Sequence, residues 1–196
     1  MRADARKNHD HVLAVAGAVI AEQGAEASMR DIARRADVGL ATLLRHFPTR
    51  EALLEALLRT GFDELTVKAD ALETSSSPED ALVSWLRDFV ACADNYRGVV
   101  ALMMSAIGDK QSALHASCVT MRAAGTRLLA RAQAEGVART DIDGTDLFAL
   151  AGSLAWLGDQ PSLAPRVDHL FGVVMSAILT DPASADARTT AAPGNR

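Results

Sequence analysis

Two short apolar stripes separated by three residues set the tightest limit on what this chain can fold into. Met29, Ile32, Ala33 and Ala36 recur at helical spacing behind Ser28, a good N-cap, with Asp31 three residues on to help the first turn. A second stripe starts only at Leu40 and closes at Phe47, where Pro48 ends it. The Asp37-Val38-Gly39 break between them holds two residue types that tolerate the backbone angles of a tight interhelical turn. The spacing predicts a helix of about two turns, a sharp turn, and a third helix from Leu40 to Phe47.

The flanks agree with an all-α chain. Val12, Ala16, Val19 and Ile20 predict helix 1 over about Asn8 to Gln23, stopped at Gly24. Thr49 can cap a fourth helix that carries Glu51 in its first turn and Leu53, Leu54, Leu57, Leu58, Phe62 and Leu65 on its apolar face. After the Thr74–Pro78 loop, further helices are expected at Pro78 to Asn95, Gly98 to Ile107 and Ser112 to Glu135. One capped by Asp143 or Thr145 follows, and a last one carries Val167, Leu170, Phe171, Val174 and Ile178. With 196 residues, 49% hydrophobic and few β-branched alternations, the chain can bury a full core in helices. Beyond Pro182 the residues are small and polar, and a mobile tail over 182–196 is expected.

A net charge of −5 excludes a protein that coats nucleic acid by bulk electrostatics, so any nucleic-acid contact must come from placed groups. Residues 1–60 hold nine Lys/Arg against eight Asp/Glu, and residues 61–196 hold eleven against seventeen, which puts the acidic excess away from the two-helix motif. Cys92 and Cys118 lack metal-ligand spacing and read as small buried thiols, with redox sensing as the other reading. Arg2, Arg6 and Lys7 ahead of the Val12–Ala21 run resemble a secretory leader. Asp4, Asp10 and the helical spacing oppose it, no stretch is long enough to span a bilayer, and a cytoplasmic protein with no membrane association is expected.

The motif suits DNA. If Val38, Leu43 and Phe47 point inward, then Leu40, Ala41, Thr42, Arg45 and His46 remain for a major groove that admits one α-helix. Thr42 fits close to a thymine methyl or a phosphate, and Arg45 suits guanine or a phosphate. Ser28 and Arg30 open helix 2, whose exposed amides suit a phosphate. Arg2, Arg6 and Lys7 are placed to act as a flexible arm. Leu44 either faces DNA with Leu40 or turns inward. Arg34 and Arg35 read better as solvated charges than as base readers.

The runs Ser28-Met29-Arg30-Asp31-Ile32-Ala33, Ala36-Asp37-Val38-Gly39 and Ala41-Thr42-Leu43-Leu44-Arg45-His46-Phe47-Pro48-Thr49-Arg50-Glu51-Ala52-Leu53 resemble the TetR family, in the form common to actinobacterial members. That resemblance implies about nine helices: a three-helix DNA-binding domain over 1–50, and a helical ligand-binding and dimerisation domain over 51–181. It implies a repressor released from a palindromic double-stranded operator by a small molecule. It also implies phosphate contacts for His46 and Arg50, with Thr49 beside them, and a homodimer through the last two helices. The chain departs from the family at position 44, Leu in place of the usual Tyr, and at Gly39, where a capping Ser is common.

For the ligand, Trp85, Phe89, Met103, Met104, Met121 and Trp156 are candidate pocket residues, although aromatics and methionines at helical spacing are more often core, and Arg122 or His115 could select an anion, although on an amphipathic helix they are more often exposed. Two other functions compete. A helical interaction protein would use the two-helix motif only structurally. An enzyme lacks support, since no Gly-x-Ser-x-Gly elbow, phosphate-binding glycine loop or His-Glu-x-x-His pair is present, and neither a catalytic residue, a metal site nor a cofactor is expected. Asp141 to Asp146 reads as a loop and helix cap, and His9-x-His11 is too sparse for a metal.

Overall fold

Several helix boundaries fall at residues suited to make them, Ser28, Thr49 and Asp143 among them. The computed structural model describes residues 2–24, 26–94, 110 and 112–180. They form α1 (Arg2–Gln23), α2 (Met29–Arg35), α3 (Leu40–His46), α4 (Arg50–Leu72), α5 (Pro78–Asp94), α6 (Ala113–Ala134), α7 (Gly144–Gly158) and α8 (Val167–Ile178), with a 3-10 turn, Ala164–Arg166, leading into α8. No strand occurs among the described residues. The expected Gly98 to Ile107 helix and the 182–196 tail lie outside them.

Helix 1 begins at Arg2, not near Asn8. Ala3, Ala5, Arg6 and Lys7 are residue types that favour a helix. The basic residues expected to form a flexible arm therefore belong to a helical backbone. The helix stops at Gly24, whose φ of 81° lies in the left-handed region open to glycine. Asp37 takes the same region with φ 53°, making the turn between α2 and α3.

The chain forms two compact units. Among the described residues, one is built from those up to Glu64 with 91–94, 110 and 112–120, the other from 65–90 with 121–180. In the first, Val12, Ala16, Val19 and Ile20 of α1 are buried, as are Ile32, Leu43 and Phe47 and the Leu53, Leu57 and Leu58 face of α4. Each buried Leu or Ile contributes about 1.5–3 kcal/mol, so these short helices are held by the core they share.

In the second unit Trp85 is fully buried and its Nε1 donates to the Leu65 carbonyl at 2.8 Å. It lies 5.8 Å from Phe148 and 6.0 Å from Phe89, centroid to centroid. Gly125 makes room for it: a Cβ there would sit 2.5 Å from the Trp85 ring. Arg127 bonds Asp70 and Glu73, and Arg131 donates to the Leu72 and Ser75 carbonyls, satisfying the end of α4. Asp143 caps α7 in a reciprocal box with Asp146. The Val137–Arg139 segment pairs with the end of α8, Arg139 N to Ile178 O at 2.9 Å and Thr180 N to Val137 O at 3.1 Å, a bridge that no periodicity announces.

Candidate nucleic-acid interface

Ser28 starts the site. Its backbone is extended and its Oγ accepts the Asp31 amide at 3.0 Å, which leaves the hydroxyl proton to donate. Across the turn, α3 begins behind Gly39 with no side-chain cap, and a Cβ at Gly39 would meet nothing closer than 3.9 Å. Glycine is thus tolerated there without being needed. Leu43 and Phe47 anchor α3 in the core, as expected, while Val38 is only half-buried.

The opposite side of α3 is open. Ala41 and Arg45 are exposed, and Leu40, Thr42 and His46 are half-buried. Leu44 is 38% exposed, so it stands on the outer side with Ala41 and Arg45 and the alternative of an inward Leu44 falls. At 1.5 Å per residue the seven-residue helix is about 10 Å long, a span that reaches a few base pairs in a groove that accepts one helix. Thr49 caps α4 by accepting the Ala52 amide at 3.1 Å. Its hydroxyl with the helix's own amide holds the Glu51 carboxyl below the usual range, the backbone bond contributing more.

Charge on this face is mostly paired. Arg34 bonds Asp31, and Arg35 bonds Glu22 and approaches Asp31, which fits the reading of both as surface charges. The Asp31 carboxyl is held below its ordinary value, first by the Arg34 hydrogen bond and then by Gln23. Arg50 pairs with Glu26 at 2.9 Å and donates from Nη2 to the Glu26 carbonyl at 3.2 Å. Among the described residues Arg30 and Arg45 enter no ion pair. Arg45 belongs to the exposed side of α3, and Arg30 opens α2.

His46 has an unforeseen neighbour. His9 of α1 lies 5.6 Å from it edge-on and 4.8 Å from Phe47. Only folding brings position 9 to position 46. Glu26 was also missed, for the same reason.

In the second unit the candidate pocket residues scatter. Trp85 and Met121 are buried core, and Phe89 joins Trp85 and Phe148, a residue the sequence reading passed over. Arg122 is exposed with its guanidinium 5.3 Å from the Phe148 centroid. Trp156 is 51% exposed on α7 and lines nothing enclosed. Met103 and Met104 lie outside the described residues. A small apolar hollow of about 180 Å³, counting its open mouth, is lined instead by residues such as Leu86, Leu150, Phe171 and Met175. Cys118 is buried and Cys92 half-buried. Among the described residues no helix is long and apolar enough to cross a membrane, and no three His, Cys, Asp or Glu converge as a metal site.

Comparison with known proteins agrees with this geometry. Residues 12–57 match the model for bacterial regulatory proteins of the tetR family, and residues 77–178 match the C-terminal domain of SbtR-like transcriptional regulators. No curated protein sequence matches the chain. A TetR transcriptional regulator from Streptomyces coelicolor is 32% identical over 87% of this chain and 98% of its own, with a TM-score of 0.68. The TetR transcription regulatory protein from Mycobacterium vanbaalenii is 31% identical over 91% and 99%, with a TM-score of 0.63. RolR, solved in complex with resorcinol, shares the fold at 18% identity over 100% and 99%, with a TM-score of 0.60. By the two family models and by the regulators 32% and 31% identical over most of its length, the chain belongs to the TetR family of DNA-binding transcriptional regulators.

Proposed function

We propose that this regulator is a homodimeric repressor that reads a palindromic operator with α3 and leaves it when a small molecule binds the second unit. One observation carries the reading: α3 is anchored by Leu43 and Phe47 while Ala41, Leu44 and Arg45 face outward beside Thr42. Thr42 and Arg45 read bases, Leu40, Ala41 and Leu44 supply apolar contact, and Ser28, Arg30, His46, Thr49 and Arg50 hold the backbone. Leucine at position 44 offers no hydroxyl, so the backbone clamp rests more heavily on the remaining groups.

The dimer forms through α7 and α8. Leu150 and Trp156 on α7 and Val173 on α8 are large apolar groups left in solvent, and Gly152 and Gly172 have open space around them for close approach of a second copy. A twofold pair places two reading helices one DNA turn or a multiple apart. For the ligand, the Trp85, Phe89 and Phe148 cluster with Arg122 over it favours a small aromatic or apolar molecule, as in the resorcinol complex of the structural relative. The apolar hollow lined by residues such as Leu86 and Phe171 encloses no room for a ligand, whose pockets run to roughly 300–1,000 Å³, so binding requires side chains of this unit to move.

The test is selection of duplexes from a random pool by the protein, followed by titration across a salt series. A palindromic consensus is expected, with affinity falling steeply as salt rises. Thr42→Ala and Arg45→Ala change the selected bases, whereas Arg50→Glu weakens every sequence. Selection of no consensus would falsify the reading.

A further inference from the structure

We propose that Glu26 sets the DNA affinity of this regulator by occupying Arg50 in the free protein and yielding it to a DNA phosphate. The proposal rests on the reading of Arg50 as a backbone contact. Arg50 stands at the first position of α4, where a cation opposes the positive end of the helix dipole and an anion must come from elsewhere. Glu26, in the turn between α1 and α2, supplies it: its Oε2 is 2.9 Å from Nη1, and its own carbonyl accepts from Nη2 at 3.2 Å. Carboxylate and phosphate are both oxyanions that take the same N–H donors of a guanidinium fork, so they compete for that edge of Arg50.

The neighbouring pairs are built differently. Asp31 accepts from Arg34 and Gln23 and faces Arg35 as well, and its side chain is 24% exposed. Glu26 has a side chain 94% exposed, and Arg50 is its one partner among the described residues. An exposed pair of this kind holds its partners by no more than about fivefold in an equilibrium. Phosphate can displace the Glu26 carboxylate, while the carbonyl bond leaves Arg50 tethered near the α1–α2 turn. Glu26 is therefore a positioned competitor, and its removal raises DNA affinity where removal of a structural strut would lower it.

The experiment measures anisotropy of a labelled duplex, selected from a random pool by the unmutated protein, against Glu26→Gln, Arg50→Ala and the double variant. Glu26→Gln is expected to bind about three- to fivefold tighter at low salt, the gain shrinking as salt rises. Arg50→Ala weakens binding, and Glu26→Gln added to it changes affinity by less than about twofold, because the group competed for is gone. Glu26→Lys, which replaces the competitor with a cation at an exposed place, also binds more tightly. Melting temperatures of all variants check that folding is retained. The proposal is overturned if Glu26→Gln binds equally or more weakly, or if its gain persists in the Arg50→Ala background. If Arg50→Ala binds as the unmutated protein does, the backbone-contact reading falls and this proposal with it. If Arg50→Ala weakens binding but Glu26→Gln brings no gain, only the proposal falls.

Discussion

α3 starts behind a glycine that makes no capping bond and buries one of its seven residues, whereas α7 starts at Asp143 with a complete capping box and buries six of fifteen. A seven-residue helix cannot hold itself in water, so α3 owes its existence to Leu43, to Phe47 at its end and to the turn at Asp37. That economy leaves its outer residues free of the core, which is what a reading helix requires. Helix α7 serves a different need: it is held from both its start and its inner side, and it spends outer residues such as Trp156 on a surface. Stability concentrated in one anchor and stability spread over a face lead to different responses to mutation.

The largest effect is expected at that anchor. Leu43→Ala should cost about 2–5 kcal/mol in urea unfolding, since a fully buried leucine leaves a cavity. Hydrogen exchange read by mass spectrometry should then show the α3 amides losing protection while α7 keeps its own. Retained protection in α3 would mean that the helix has support beyond Leu43.

Next comes Gly125→Ala, in the unit that holds α7. Alanine gains about 1 kcal/mol of helix propensity, but a methyl 2.5 Å from a Trp85 ring that is fixed by its own hydrogen bond forces repacking worth about 1–3 kcal/mol. A net loss of stability is expected in thermal melts. A stabilised variant would show that the aromatic cluster can shift.

A smaller change should follow from Asp143→Ala, which removes the α7 cap and lowers the melting temperature by a few degrees at neutral pH. The amides of Asp146 and Thr145 hold the Asp143 carboxyl below its ordinary value of 3.8. A carboxyl depressed in the folded state stabilises above its unfolded pKa and stops doing so as pH falls through the folded one. The gap between the two proteins should therefore be constant near neutrality and close under acid. A gap that survives strong acid would point to packing, not to the charged cap.

The smallest effect is at the other start. Gly39→Ser places a capping hydroxyl where the backbone is already extended and the space is open, and it should stabilise by a few tenths of a kcal/mol. Unchanged melting would indicate that α3 takes nothing from its own N-terminus.

Most of the helices could be read from the chain because their signals are local. Ser28, Thr49 and Asp143 cap the helices expected of them, and Leu53, Leu57, Leu58 and Leu65 are buried on the expected face of α4. The start of α1 was misplaced because polar but helix-favouring residues carry no apolar period to mark it. The candidate ligand residues scattered for a related reason. Met121 and Trp156 share helical, apolar character, yet one is 1% exposed and the other 51%, a difference set by which neighbours each side faces.

What the sequence by itself determined is the succession of helices, their caps and breaks, and the presence of a short helix with a basic, partly apolar outer side. Spacing and capping act over a few residues, and such information is complete in the chain. Only the tertiary structure decided that Leu44 faces outward, that Arg34 and Arg35 are already paired, that His9 meets His46, and that Glu26 holds Arg50. Those outcomes depend on pairs as far apart as positions 9 and 46 or 26 and 50. Such pairs meet only after Leu43, Phe47 and the α4 leucines have drawn three helices onto one core.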